Sequence, residues 1–214
     1  MRAVNRSAPG TAAVVAALLL GATGCGSDAG AAMTPAPTTT VEQTVSSPLA
    51  GLVVLPAGYV PDLKNSSGPF TAETYLANFS AEPALDRALL LNADFAEGYR
   101  ATRLSPDKKK RYVIQLFKAG SPAKAKILQA GFWRQEPRNH PFRVPDALSN
   151  AHAAYDAGSE KTEAVAEASL VGGSFVALLS VRQSGPFNAT IRPDTALIST
   201  LAAQQRTRLT TQSS

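Results

Sequence analysis

The clearest pattern in the chain is an alternation of apolar and polar side chains with the period of a β-strand. In residues 110–118, Tyr112, Ile114 and Leu116 fall on one face, and Phe117 falls on the other. Successive side chains of a strand point to opposite faces of its sheet. Because both faces of this run carry apolar residues, we expect both to be covered at that end of the sheet.

Residues 174–182 alternate in the same way, and a second run of this kind covers residues 162–170. Gly172-Gly173 stands between the two runs. A glycine pair tolerates the positive φ angles that tight hairpin turns require. The pattern predicts a β-hairpin with its turn at these glycines.

The remaining elements follow from the spacing of apolar residues and from start and stop signals. A proline or a side-chain cap before apolar positions three or four residues apart is typical of a helix start. The predicted helices cover residues 71–79, 83–91, 122–130 and 193–209, and further strands are predicted at 52–55, 97–105 and 150–157. Gly131 is expected to end the helix that begins at Pro122.

The order strand–strand–helix therefore occurs twice, at 97–130 and at 162–209. A hairpin makes consecutive strands antiparallel, and a helix that follows it packs back on the sheet. The sequence predicts an α+β fold, with an antiparallel sheet built from hairpins and helices packed on one face. Hairpins at these spacings argue against a parallel, doubly wound sheet.

The first 24 residues follow a different pattern. Arg2 and Arg6 precede an apolar run at 11–20, which is shorter than the about 20 residues that a membrane-spanning helix needs. Ala22-Thr23-Gly24-Cys25 comes next, and it contains the chain's single cysteine. A charged start, a short apolar run and small residues are typical of a secretory signal peptide. The small residues before Cys25 look like a bacterial lipobox, although leucine is usual where Ala22 stands.

These features divide the chain into three parts. Residues 1–24 are a predicted lipoprotein signal peptide, after which Cys25 receives a diacylglyceryl group and an acyl chain such as palmitate. Residues 25–48 lack aromatics and are mostly Ala, Thr, Ser, Gly and Pro, which predicts a flexible spacer of roughly 25 Å reach. Residues 49–214 form one predicted α+β domain. Two acyl chains hold a protein stably on a membrane, so we expect a lipid-anchored protein on the outer face of the cell membrane. The alternative is an ordinary signal peptide with a chance cysteine.

The sequence contains few residues in patterns typical of a catalytic site or of a cofactor site. Serine precedes lysine by three residues at Ser105 and Lys108 and again at Ser121 and Lys124, but the companion motifs of penicillin-recognising enzymes are missing. One cysteine and two histidines exclude multi-cysteine zinc and iron–sulfur sites. We expect no catalytic residue, no metal and no cofactor. Nucleic acid is not expected as a partner of a protein held outside the cell.

Positive charge is concentrated in one segment. Residues 97–126 carry nine lysines and arginines against two acids. Lys108, Lys109, Lys110 and Arg111 lie where a turn joins two predicted strands, so we expect their side chains to project together into solvent. Such a group is a candidate contact for anionic lipid head groups or anionic envelope polymers. The alternative is a solvated turn that protects a strand edge from aggregation.

A second candidate is an aromatic and basic rim made by Trp133, Arg134 and Phe142. Aromatic side chains beside arginine are found at the rims of ligand sites. The alternative is that these aromatics cover a small core.

Three short sequence segments resemble those of a known class of proteins. They are residues 55–60 (LPAGYV), residues 94–100 (DFAEGYR) and residues 202–205 (AAQQ). Together with Cys25 and the spacer, they make the chain similar to the alanine-rich surface lipoproteins of high-GC Gram-positive bacteria. The resemblance implies location and α+β architecture, and it transfers no catalytic residue.

The function expected from these observations is a non-catalytic binding or interaction module of the cell envelope, anchored in the membrane through Cys25. Its partner would be an envelope polymer, a lipid or another protein. The alternative is a carrier of a lipid or another apolar ligand, whose sheet would curve around an acyl-chain cavity.

Overall fold

The structure is a computed structural model, and it describes residues 47–135, 140–187 and 189–211. Its strands are β1 (Val60–Pro61), β2 (Gly68–Phe70), β3 (Glu97–Leu104), β4 (Lys110–Lys118), β5 (Ala147–Asp156), β6 (Lys161–Gly172) and β7 (Phe175–Pro186). Its helices are a 3-10 helix (Pro48–Leu52), α1 (Ala72–Asn78), α2 (Pro83–Asn92), α3 (Pro122–Gln135) and α4 (Thr195–Thr211). The predicted signal peptide, Cys25 and the spacer up to residue 46 lie outside the described residues.

The strands form one antiparallel sheet in the order β1-β3-β4-β7-β6-β5, with β2 also paired to β3. Two hairpins, β3–β4 and β6–β7, make its centre, and a helix follows each hairpin. The predicted α+β fold with an antiparallel sheet is therefore confirmed.

The helices cover both faces of this sheet. Leu116 and Phe117 are neighbours in β4 and both are fully buried. Leu116 belongs to the apolar cluster beneath α4, whereas Phe117 belongs to the cluster beneath α1, α2 and α3. The expectation that the helices pack on one face is wrong, because strands with apolar residues on both faces need cover on both.

Two glycines allow helices to approach closely. A Cβ at Gly131 would lie 2.3 Å from Leu89 of α2, so Gly131 is a packing position and α3 continues through it to Gln135. A Cβ at Gly172 would lie 2.5 Å from the Cβ of Leu209 in α4. The turn residue with positive φ is Gly173 (φ 57°). The predicted helix end at Gly131 and the placing of Gly172 in the turn were both wrong.

The segment predicted as a strand at 52–55 instead joins the 3-10 helix to the sheet and lies against α4. The side chain of Gln205 accepts from the backbone N–H of Val54 at 2.7 Å and donates to the carbonyl of Leu52 at 2.8 Å. The hydroxyl of Tyr112 in β4 donates to the carbonyl of Val54 at 3.0 Å. Ser47 caps the 3-10 helix through a hydrogen bond from the backbone N–H of Leu49.

Gln205 is fully buried. Its side-chain amide forms hydrogen bonds with the carbonyl of Leu52, at the end of the 3-10 helix, and with the N–H of Val54, which follows that helix. We predict that Gln205→Met lowers the free energy of unfolding by about 2–4 kcal/mol, because a buried N–H and a buried C=O lose their partners. Urea denaturation measures the change. The matched control is Gln204→Met at the adjacent exposed position, which should change stability by less than about 0.5 kcal/mol. Equal effects of the two substitutions would contradict this role of Gln205.

Candidate functional site

An open cleft of about 590 Å³ lies on the face of the sheet that carries α1, α2 and α3. The three helices pack over the part of this face that includes Phe117 and Val176. The cleft opens farther along the same face, where its floor includes Val113, Gln115 and Ser180. A ligand-sized space therefore exists because the helices cover only part of this face.

The cleft has an aromatic wall and a floor that mixes polar and apolar side chains. Phe79 caps the end of α1, and Phe132 and Trp133 lie near the end of α3; all three line the cleft. On the floor, the strand register sets Arg100 of β3 opposite Gln115 of β4. Apolar and hydrogen-bonding groups thus face the same space, as in many small-molecule sites.

Arg100 lies in the cleft without an acidic partner among the described residues. The centre of its guanidinium group is 4.5 Å from the centroid of the Phe79 ring, a cation–π contact. Its Nε is buried and has no hydrogen-bond partner. Among the described residues, no acidic side chain forms a salt bridge with it. Burial of an unpaired charge is unfavourable. The Nε of Arg100 is therefore a charged donor that could still donate to a hydrogen-bonding partner.

Two further arginines add positive potential to this part of the cleft. The pKa of Arg100 is lowered, mainly because burial disfavours its charged form and also because Arg182 and Arg111 repel that charge. Arginine remains charged under ordinary conditions in spite of such shifts. An anion beside Arg100 would therefore lie near two further guanidinium groups.

Arg111 and Arg182 differ from Arg100 because each has a carboxylate nearby. The Nε of Arg111 lies 2.9 Å from Oδ2 of Asp62, and a guanidinium nitrogen of Arg182 lies 3.9 Å from Oε2 of Glu163. Burial would raise the pKa of the Asp62 carboxyl, but the hydrogen bonds that it accepts, including that from Arg111, lower the pKa overall. A charged carboxylate therefore stays beside Arg111.

Asp86 holds the helix side of the cleft together. This carboxylate is 3 % exposed and accepts hydrogen bonds from the hydroxyls of Tyr75 and Ser80, at 3.3 and 2.6 Å, and from the amide of Gln135 at 2.8 Å. Its partners come from α1, from the loop after it and from α3. Asp86 thus fixes the positions of the helices that carry the aromatic wall.

The predicted basic segment does not act as one group of free cations. Lys108 and Lys109 are exposed in the turn between β3 and β4. Lys110 pairs with Asp194 at 2.6 Å, which raises the pKa of Lys110, and Arg111 pairs with Asp62. The expectation that all four side chains project together is wrong, because Lys110 and Arg111 are consecutive residues of β4 that point to opposite faces of the sheet, and each is paired with a carboxylate.

The predicted rim residues do not form one site. Trp133 is buried and lines the cleft. Arg134 is exposed near the end of α3 and is not part of the cleft lining. Phe142 packs against the apolar cluster beneath α4, on the other face of the sheet. Trp133 and Phe142 are separated because the helices occupy both faces.

The predicted lipidation site, Cys25, lies outside the described residues. Within the described ranges, every helix falls short of the length and apolarity that crossing a bilayer requires. In the same ranges, no three side chains of His, Cys, Asp or Glu are grouped in a way that could hold a metal ion.

Arg100 and Phe79 are the cleft residues that sequence reasoning missed. Arg100 was counted only as part of the positive charge of residues 97–126. A signal for it was present: Arg100 occupies a strand face shared with Gly98, next to a strand whose corresponding face is apolar at Phe117 and Val113. A charged residue on such a face is a candidate for a specific partner.

No protein-family model matches the chain, and no curated protein is similar to it in sequence. Among solved structures, the chain is similar to the extracellular domain of PknH from Mycobacterium tuberculosis. The TM-score is 0.38 at 9 % sequence identity, and the alignment covers 76 % of this chain and 93 % of that domain.

Proposed function

We propose that the chain is a lipid-anchored, non-catalytic binding module of the cell envelope that holds a small ligand in the cleft beside α1 and α3. The observation that carries the binding role is Arg100, a half-buried cation in a ligand-sized cleft, with no salt-bridge partner in residues 47–135, 140–187 and 189–211. Proteins seldom bury such a group without giving it a partner. A bound ligand would supply one.

The anchoring part of the proposal rests on the N-terminal sequence. A charged start, a short apolar run and small residues precede Cys25, and a spacer without aromatics follows it. In such a molecule the diacylated cysteine would keep the binding module at the outer face of the membrane. The resemblance to alanine-rich surface lipoproteins agrees with this location.

A carrier of acyl chains is less well supported. The floor of the cleft includes Arg100, Gln115 and Ser180, whereas a cavity for an acyl chain needs an apolar lining. Leu116 and Phe117, one in each apolar cluster of the fold, are fully buried. The mixed lining favours a ligand with polar groups.

We predict that Cys25→Ala abolishes acylation and releases the protein from the membrane or leaves it unprocessed. Removing the sulfur removes the atom to which the diacylglyceryl group would be attached. Metabolic labelling with palmitate and detergent partitioning in the native host measure both effects. An unacylated wild-type protein in the culture medium would show that the anchor has been wrongly inferred.

We further predict that small molecules bind in the cleft and that Ser180→Trp blocks them, because an indole ring would occupy the space above β7. The measurement is a fragment screen by ligand-observed NMR with neutral and charged compounds. Ser159→Trp, at an exposed turn between β5 and β6, is the matched control and should keep the hits. The absence of hits, or hits that survive Ser180→Trp, would count against binding in the cleft.

A further inference from the structure

We propose that the ligand of the cleft carries an oxyanion, a carboxylate or a phosphate, that binds Arg100, and an aromatic or other apolar group that lies against Phe79 and Trp133. This inference deepens the proposed function and rests on it. It names the chemical class of the ligand and identifies Arg100 as the residue that determines specificity.

The first reason is the state of Arg100 itself. Its planar guanidinium group is already held on one side by the Phe79 ring at 4.5 Å. The buried Nε still lacks an acceptor. A guanidinium group offers parallel N–H donors that match the two oxygens of a carboxylate or a phosphate. An oxyanion would satisfy the donor and neutralise the charge in one step.

The second reason is the arrangement of charge around Arg100. Arg182 and Arg111 are close enough to act on its charge, and both line the same cleft. The lining also contains the carboxylates of Glu82, Asp86 and Glu167. Asp86 already accepts three hydrogen bonds from the helix side, and Glu167 lies in β6 opposite Ser180. Because the lining carries three carboxylates and three arginines, any attraction for an anion is local to Arg100 and its two arginine neighbours.

The third reason is the size and wall of the cleft. A volume of about 590 Å³ falls within the range of about 300–1,000 Å³ that is typical of small-molecule sites, and it far exceeds one phosphate group. Phe79, Phe132 and Trp133 line the helix side of the cleft. An apolar or aromatic body attached to the anion would cover these rings. Gln115 and Ser180 are placed to add hydrogen bonds.

The experiment compares three probes by isothermal titration calorimetry: 1-naphthyl phosphate, 1-naphthoate and the neutral 1-naphthol. The protein is the full chain with Cys25→Ser, so that no acyl chain competes for the probes. We expect at least one anionic probe to bind more tightly than 1-naphthol, and the two anionic arms distinguish phosphate from carboxylate. Arg100→Gln should weaken the anionic probes by about tenfold or more and leave 1-naphthol nearly unchanged.

Lys109→Gln is the matched control, because it removes the same unit of charge at an exposed position outside the cleft lining. It should leave all three affinities unchanged. Arg100→Lys keeps the charge but loses the planar pair of donors, so it should also weaken the anionic probes. Circular dichroism establishes that each variant folds. If Arg100→Gln fails to fold, Arg100→Lys provides the decisive comparison.

The outcomes separate the inference from the proposed function. If 1-naphthol binds as tightly as the anionic probes, and Arg100 variants change no affinity, the oxyanion inference is overturned while a ligand-binding cleft remains. If none of the probes binds the protein with Arg100 intact, both are overturned. If Lys109→Gln weakens the anionic probes as much as Arg100→Gln, general surface charge attracts them and the specific role of Arg100 is overturned.

Discussion

A β-sheet with apolar side chains on both faces needs a cover on both, and this requirement determines the layout of the molecule. The helix α4 and the segment that Gln205 holds against it cover one face. The shorter helices α1, α2 and α3 cover only part of the other face. The uncovered part of the sheet carries polar side chains, Arg100, Gln115 and Ser180, beside apolar ones such as Val113 and Leu178, and Arg100 lies against Phe79 at the end of α1. The cleft is thus a direct result of how far these helices extend across the sheet.

Local patterns predicted the strands and the antiparallel hairpins well, because alternation and turn residues are properties of neighbouring positions. The structure places β3 at 97–104 and β4 at 110–118, as the alternation indicated. Features that depend on distant residues could not be predicted in the same way. Gly131 looks like a helix end until Leu89 is seen packed against it. The apolar run at 52–55 looks like a strand because periodicity does not distinguish a buried strand from another buried segment.

The candidate site was less predictable than the fold. The sequence made Trp133 a candidate for a ligand rim, with core cover as the alternative, and the structure places it, largely buried, in the lining of the cleft. It grouped Lys110 with free cations, although Asp194, 84 residues away in the sequence, pairs with it. It did not single out Arg100, because a charge acquires meaning only when its partners are known. Three features distinguish Arg100: its burial, its contact with the ring of Phe79, and the lack of a carboxylate partner among the described residues. All three depend on the folded chain.

Arg100 is central to the function proposed for this chain, and a crystal structure of the full chain carrying Cys25→Ser with 1-naphthyl phosphate would locate its partner directly. The account predicts a phosphate oxygen about 2.7–3.2 Å from the Nε of Arg100 and the naphthyl ring against Phe79 and Trp133. A probe bound elsewhere on the protein, or one in the cleft with its phosphate directed away from Arg100 into solvent, would contradict it.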